Sequence, residues 1–216
     1  MSTPDDREAA FIGEVTASAT HELRNVLAIV KESAGLIEDI VESSDQRGSP
    51  TAERLMRAVG RIRDQVGRGA DLITSLNRFA HSLDHAEEEV NLNQAAQQVS
   101  FLCRRRARQG KQSVEAQLGD EDLALVVSPL RLQMALCAAV ECCLKQLPEG
   151  ATVTVHARQQ NDQLSLVFNG VVAGQAAPIS LVEAEACNRL AEVLETLGAS
   201  VEEVDATQGF RVILSG

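Results

Sequence analysis

An unbroken helical repeat over residues 7 to 44 constrains the fold more than any other feature of the sequence. Apolar residues recur there every three or four positions, at Phe11, Val15, Ala19, Leu23, Val26, Val30, Ala34, Ile37 and Val41. At about 1.5 Å per residue, the repeat predicts a helix more than about 50 Å long. The segment "SSDQRGSP" (43–50) then predicts the end of this helix and a turn.

A second helical pattern follows the turn, through Leu55, Val59, Ile62, Val66, Ile73, Leu76 and Leu83. The short connection predicts that the two helices are antiparallel neighbours. Two helices alone cannot cover such long apolar stripes, so we expect the hairpin to pair with a second copy in a dimeric four-helix bundle. The alternative is a hairpin that packs only on the rest of its own chain.

The pattern changes after the acidic segment "HAEEEVN" (85–91), where short strand-like pieces begin to alternate with helices. Helices are expected near 92–109, 130–147 and 180–197. Strands are expected in "SVEAQL", "LALVVS", "TVTVHARQ", "QLSLVFNG", "SVEEVD" and "FRVILS". The sequence therefore predicts an α+β protein with a helical hairpin domain at 1–87. A second domain at 88–216 has helices on one face of a mainly antiparallel sheet.

Composition excludes several classes of function. The net charge of −11 and the absence of Trp and Tyr argue against nucleic acid or an anionic membrane as a partner. No apolar run approaches the roughly 20 residues of a membrane span, and the acidic N-terminus does not resemble a signal peptide. The five cysteines form no C-x-x-C pair, so no metal site is expected. They are interpreted as buried thiols of a cytoplasmic protein.

The segment "SATHELRN" (18–25) holds the strongest candidate for chemistry. At 100° per residue, His21 points away from the apolar stripe and should be exposed, with Asn25 one turn further along. An accessible neutral imidazole is a competent nucleophile toward a phosphoryl group. Glu22 is expected to hold the ring tautomer through a hydrogen bond, and the Asn25 amide to orient an attacking water.

This segment resembles the dimerisation and phosphotransfer domain of sensor histidine kinases. "HELRNVL" is similar to that family's H-box, in which a phospho-accepting histidine is followed by an acid and, four places on, by Asn or Thr. The resemblance implies that His21 is phosphorylated, that Glu22 assists the transfer and that Asn25 supports dephosphorylation of a partner. Val26 is a departure, because the family often has a helix-kinking proline there.

The second domain resembles the ATP-binding domain of the same kinases but lacks its ligands. Cys142 and Ala138 replace family asparagines, and neither side chain is a hard oxygen ligand for Mg²⁺. Phe168, Asn169 and Gly170 stand in place of the aspartate and glycine box, and no second glycine-rich run precedes the last helix. The resemblance therefore implies a degenerate domain that binds no ATP and no cofactor.

A phospho-accepting histidine without a nucleotide site must receive its phosphoryl group from another protein. The whole chain thus resembles histidine phosphotransferases of the ChpT-like kind, whose partners are response-regulator receiver domains that carry their own Mg²⁺. Arg24, Lys31, Arg61 and Arg68 are the expected partner-binding residues, in a homodimer. The alternatives are a phosphatase that uses Asn25, and a pseudokinase adaptor that binds a response regulator or a sensor histidine kinase.

Overall fold

The structure is a computed structural model, and it describes residues 4–43, 50–161, 163–181, 185–205 and 209–214. It divides into two compact units. One comprises Gly13–Arg78, and the other combines Met1–Ile12 with Phe79–Gly216. The domain boundary predicted at residues 87 and 88 stays a prediction.

The hairpin consists of helix α1 (Pro4–Ser43) and helix α2 (Pro50–His81), which agree closely with the predicted helices. The expected turn at 43–50 falls largely outside the described residues. At Gly69 the two helices approach closely, because a Cβ on this glycine would lie 3.3 Å from Val26 Cγ1. None of the helices that the structure describes combines the length and the apolar character needed to cross a bilayer.

Each hairpin helix carries two apolar rows rather than the single stripe predicted. The inner row is buried between the helices and includes Val26, Ile40, Ala58 and Leu72. The outer row is 48% to 71% exposed and comprises Leu27 and Val41 on α1 with Met56, Val59, Val66 and Ile73 on α2. The predicted stripe mixed the two rows, because a repeat of three and four residues fits both.

The outer rows of the two helices share one side of the hairpin. Four of their members directly follow a buried residue, as Leu27 follows Val26 and Ile73 follows Leu72, and are therefore displaced about 100° from the contact line. In two antiparallel helices, side chains that are rotated in the same sense from the contact line lie on the same side of the pair. The hairpin thus presents exposed apolar side chains on one side.

The second unit contains three further helices and eight strands among the residues described. The helices are α3 (Leu92–Gln109), α4 (Pro129–Gln146) and α5 (Glu185–Leu197). The strands are β1 (Glu88–Asn91), β2 (Ser113–Ala116), β3 (Ala124–Val127), β4 (Thr152–Gln160), β5 (Gln163–Val172), β6 (Gln175–Ala177), β7 (Ser200–Asp205) and β8 (Gly209–Leu214). The three helices begin and end close to the predicted positions, and α5 begins five residues later than expected.

The main sheet has the order β2-β4-β5-β8-β7, with β6 paired to β5. All pairs are antiparallel except β2 with β4, so the α+β prediction is confirmed. Helices α3, α4 and α5 lie side by side and pack against this sheet. β3 leaves the main sheet and pairs with β1, a short strand that sequence analysis missed.

Side-chain caps begin two of these helices. The Asn91 side chain accepts a hydrogen bond from Gln94 N at 3.0 Å and caps α3. Ser128 caps α4, with Pro129 in the first turn, where its missing N–H costs nothing. Asn91 is also the last residue of β1, so one side chain ends a strand and starts a helix.

Glu141 connects the three helices of the layer. Its carboxylate lies 2.6 Å from Arg106 Nη1 of α3, 3.1 Å from Lys145 Nζ and 3.3 Å from Arg189 Nη1 of α5. Burial alone would raise the pKa of Glu141, but the three cations outweigh it and hold the pKa below its usual range. The layer is therefore tied together by one half-buried anion.

The first turns of α1 belong to this second unit. Glu8 Oε1 accepts from Arg131 Nε at 2.9 Å, and Arg7 Nη2 lies 3.2 Å from Glu192 Oε2. Phe11 meets Phe79 edge to face, with ring centroids 5.8 Å apart. The helix that carries His21 thus begins among residues of α4 and α5.

The prediction that the cysteines are all free thiols is wrong. Cys142 and Cys187 form a disulfide between α4 and α5, while Cys103, Cys137 and Cys143 are buried and free. The pair is separated by 45 residues and has no spacing signature, so the sequence offered no indication of it.

Gly209 offers a test of the core. Its φ is +107°, and a Cβ there would collide with the backbone oxygen of Phe168, whose ring stacks on Phe210 at 5.3 Å. We expect Gly209→Ala to lower the free energy of unfolding by about 2–4 kcal/mol. Gly174→Ala is the control, because Gly174 also has a positive φ but has open space around it, and it should cost only about 1 kcal/mol. Equal losses in urea denaturation would contradict this packing.

Candidate functional site

His21 lies in the interior of α1, and its side chain is exposed. Asn25, one turn further along, is also exposed, and its Nδ2 lies 3.3 Å from His21 Nδ1. A contact at Nδ1 leaves Nε2 as the other ring nitrogen for a reaction. The helix therefore brings the two predicted side chains together and couples them through one ring atom.

The partner at Nδ1 decides which nitrogen can attack. When the Asn25 amide nitrogen donates to Nδ1, the ring proton resides on Nε2 and Nε2 has no free lone pair. When the amide turns so that its oxygen faces the ring, Nδ1–H donates and Nε2 becomes the nucleophile. The orientation of the Asn25 amide and the tautomer of the His21 ring therefore change together.

Glu22 is half-buried and, among the described residues, makes no hydrogen bond to His21. Its role in holding the tautomer stays a prediction, and Asn25 is the residue in contact with Nδ1. Val26, which replaces the family's proline, is buried against Gly69, and α1 continues through it without a break. The site therefore lies on a regular helix, and the buried inner row fixes the rotation of this helix about its axis.

Two of the four predicted partner-binding cations share the side of the hairpin that carries His21. Asn25 directly precedes Val26 and Arg68 directly precedes Gly69, so both are displaced from the contact line in the sense opposite to the outer apolar row. His21 and Arg61 lie on the same side. Gly69 lies beside Val26, at the same height along the hairpin. Arg68 is therefore about 9 Å from His21 along the helix axis.

Arg24 and Lys31 are both exposed on α1. Their helical phase places them on the back of α1, away from α2. The predicted cation set is therefore divided: Arg24 is three residues from His21 on α1, Arg68 is about 9 Å from it along the axis, and Arg61 is about 20 Å from it. Arg54 continues the row of Arg61 and Arg68 at the same seven-residue spacing and extends the basic side toward the start of α2.

The positions at which the sequence resemblance predicted missing nucleotide ligands lie in the packed interior of the second unit. Ala138 is buried in α4, and Cys142 has no exposed surface and is committed to the disulfide. Phe168 is fully buried in the stack with Phe210. A Cβ on Gly170 would lie 2.7 Å from Leu147 Cδ2. The methyl of Ala138 and the disulfide of Cys142 supply no oxygen ligand for Mg²⁺.

A metal centre has no support in the part of the chain that the structure describes, since no three His, Cys, Asp or Glu side chains are arranged to hold an ion. His81 Nδ1 lies 2.7 Å from Asp84 Oδ2, and His85 is exposed nearby. These residues mark the end of α2 and carry no recognisable site.

Comparison with known proteins finds similarity in solved structures alone. No protein-family model matches the chain, and neither does any curated protein. The catalytic domain of histidine kinase ThkA is 14% identical and has a TM-score of 0.48, over 60% of this chain and 97% of that one. Acinetobacter baumannii histidine kinase AdeS is 13% identical with a TM-score of 0.47, over 90% and 97% of the two chains.

Histidine kinase ThkA in complex with response regulator protein TrrA is also similar. It is 16% identical with a TM-score of 0.44, over 97% of this chain and 63% of that one. These similarities concern the fold, and no ligand or partner is transferred from them.

The contact between Asn25 and His21 predicts a tautomer change that nuclear magnetic resonance can detect. Asn25→Asp removes the donor and leaves only acceptor oxygens, so the ring proton should move to Nδ1 at pH 8. The ¹⁵N shifts of His21 should exchange their assignments relative to the unsubstituted protein, with those of exposed His85 unchanged. If Asn25→Asp and Asn25→Ala both leave the His21 shifts in place, Asn25 does not control the tautomer.

Proposed function

We propose that this protein is a histidine phosphotransferase that accepts a phosphoryl group on His21 from a phospho-aspartyl receiver domain and passes it to a second receiver. The observation that carries the proposal is the arrangement on one side of the hairpin. There an exposed imidazole and an amide bonded to its Nδ1 share a side with Arg61 and Arg68, and Arg68 lies about 9 Å from His21 along the axis. This protein would act in the cytoplasm, where receiver domains work.

The transfer needs little from this chain except position and tautomer. With the proton on Nδ1, His21 Nε2 attacks the phosphorus of the partner's aspartyl phosphate, the new N–P bond forms, and the bond from phosphorus to the aspartate oxygen breaks. The aspartate leaves as a carboxylate, and Nδ1–H remains bonded to the Asn25 oxygen. Reversal of these steps onto another receiver completes the relay, with Mg²⁺ supplied by the receiver.

Charge supports a receiver as the partner. A receiver's reactive aspartate lies in a cluster of carboxylates, and the chain is itself strongly acidic, so contact elsewhere on its surface is repelled. Arg61 and Arg68 supply the complementary charge on the side of the hairpin that carries His21. Arg24 and Lys31, on the back of α1, are proposed to steer the approach at longer range.

An external donor is proposed because the second unit does not fit nucleotide. The resemblance places the ligands of Mg²⁺-ATP at Ala138, Cys142 and Phe168, and these side chains are buried in contacts that hold the core. Restoring an asparagine at Cys142 would place a polar group where the bridge to Cys187 now lies. The domain is therefore proposed to serve as structure.

Proposed pairing of two hairpins follows from the outer apolar row. Its six members, each at least 48% exposed, lie on the side opposite His21, so a second copy can cover them and leave the imidazole accessible. We therefore propose a homodimeric four-helix bundle.

Sedimentation tests this pairing. Val66→Glu places a charge within the outer row and should weaken the dimer at least about tenfold, since a buried unpaired carboxylate costs more than 1.4 kcal/mol. Ala28→Glu is the matched control, because Ala28 is exposed on the side of His21 and the substitution should leave the dimer intact. A dimer unaffected by Val66→Glu, or a monomeric unsubstituted protein, would contradict the arrangement.

Phosphotransfer is tested by incubating the protein with receivers carrying ³²P on aspartate. Label should move to the unsubstituted chain and to His85→Ala, and should fall below about 1% of that level in His21→Ala. His85 is a suitable control because its side chain is also exposed.

Two other outcomes would overturn the relay. Release of label as free phosphate, dependent on Asn25 and without labelling of the chain, would indicate a phosphatase. Tight receiver binding with the label left on the receiver would indicate an adaptor.

A further inference from the structure

The exposed side of α3 carries an aromatic ring among three arginines. Phe101 is followed at three, four and seven positions by Arg104, Arg105 and Arg108, a spacing that places the four side chains on one face of a helix. Arg104 and Arg108 are exposed, and Phe101 and Arg105 are half-exposed. These four residues form the α3 basic face.

The three arginines differ from most other cations of the second unit, which are paired. Among the described residues of this unit, seven of the eleven Lys and Arg side chains form ion pairs with carboxylates. Arg104, Arg105 and Arg108 are three of the four that form none there, and the fourth is Arg158 on β4. The chain has 31 acidic residues, so a shortage of carboxylates does not explain the difference.

The helix dipole accounts for part of this charge. Arg106 and Arg108 lie in the last turn of α3, where unpaired carbonyl groups favour a cation. Arg104 and Arg105 lie before that turn, and Arg106 reaches Glu141 at 2.6 Å instead of the basic face. The two earlier arginines therefore need another explanation.

The charge of the α3 basic face is opposite to that of the chain. Helices α3 and α4 together carry six cations and one anion, a net charge of +5. The whole chain has a net charge of −11, so the remainder carries −16. An acidic partner is thus repelled by the rest of the chain and attracted to this face.

The contact between Phe101 and Arg104 orients the centre of the face. Arg104 Cζ lies 5.3 Å from the centre of the Phe101 ring, which is a cation–π contact. A guanidinium stacked in this way keeps its N–H groups available for a carboxylate, which arginine binds through two parallel hydrogen bonds. The half-exposed ring offers an apolar contact beside that carboxylate. Aromatic and arginine side chains are enriched at the centres of protein interfaces.

We propose that the α3 basic face is a docking site for a short acidic segment of a partner protein, in which carboxylates flank one apolar side chain. Arg104, Arg105 and Arg108 bind the carboxylates, and Phe101 contacts the apolar side chain. This inference is independent of the phosphotransfer by His21.

The size of the face favours an acidic segment over a nucleic acid. The helix rises about 10 Å from Phe101 to Arg108, a length that matches a few residues of peptide. Duplex DNA carries one charge per about 1.7 Å of its axis and extends beyond the face, where the remaining charge of −16 repels it.

Fluorescence anisotropy tests the docking site on the full chain, with a labelled peptide of sequence Glu-Glu-Leu-Glu-Glu. The peptide should bind one to one, and more weakly at about 300 mM than at about 50 mM salt. Arg104→Ala combined with Arg108→Ala should weaken binding at least about tenfold, since charge-assisted hydrogen bonds are lost. Arg158→Ala is the matched control, because Arg158 is also exposed and unpaired among the described residues, and it should change binding less than about twofold.

The apolar part of the segment is tested with a second peptide, in which glycine replaces the leucine. It should bind about threefold more weakly or worse, because the contact with the Phe101 ring is lost. Equal affinity for the two peptides would contradict the role of Phe101.

Nuclear magnetic resonance locates the peptide on the unsubstituted protein, which keeps the test valid if a variant does not fold. The largest changes in amide shift should fall within residues 101–108. Absence of binding, shift changes centred on Arg61 and Arg68 of the hairpin, an equal loss of binding in Arg158→Ala, or tighter binding of a short DNA duplex than of the peptide would overturn the proposal.

Discussion

The close approach of α1 and α2 at Gly69 is the contact on which the hairpin depends. Because Gly69 has no Cβ, Val26 fits against α2, and this contact indicates which side of each helix faces the other. The rotational orientation of the two helices determines which residues are exposed on each side of the hairpin. Residues directly after the inner row form the apolar side, and residues directly before it include Asn25 and Arg68. This packing contact thus places the exposed apolar residues and the polar residues near His21 on different sides of the hairpin.

The second unit is held together by one ion cluster, one covalent bond and an aromatic stack. Its helix layer is tied by Glu141 and by the disulfide, and its sheet is filled by the stacked rings of Phe168 and Phe210. Burial of the two rings removes apolar area from water, which stabilises the fold by about 25 cal/mol per Å².

Much of this organisation could be predicted from the sequence, because long helices and alternating strands leave strong periodic signals. The helix expected at 130–147 is observed at Pro129–Gln146, and the exposure of His21 followed from helical phase alone. The double row on each hairpin helix was missed, since residues about 100° apart satisfy the same three-and-four spacing. The short pair β1 and β3 carries too few residues for a pattern.

The local chemistry was less accessible to sequence analysis than the fold. Glu22 and Asn25 were both within one turn of His21, and only the side-chain arrangement selects Asn25 as the partner of Nδ1. The bond between Cys142 and Cys187 depends on the tertiary placement of α5 against α4, which a separation of 45 residues does not encode locally.

The central claim is that the phosphoryl group on His21 comes from a protein and not from a nucleotide. The most direct measurement is a parallel ³¹P magnetic resonance experiment, in which the purified chain is mixed either with Mg²⁺-ATP or with a phosphorylated receiver. The account predicts a phosphohistidine resonance with the receiver and none with ATP, at equal phosphoryl concentration. A phosphohistidine signal that grows with ATP alone would contradict it.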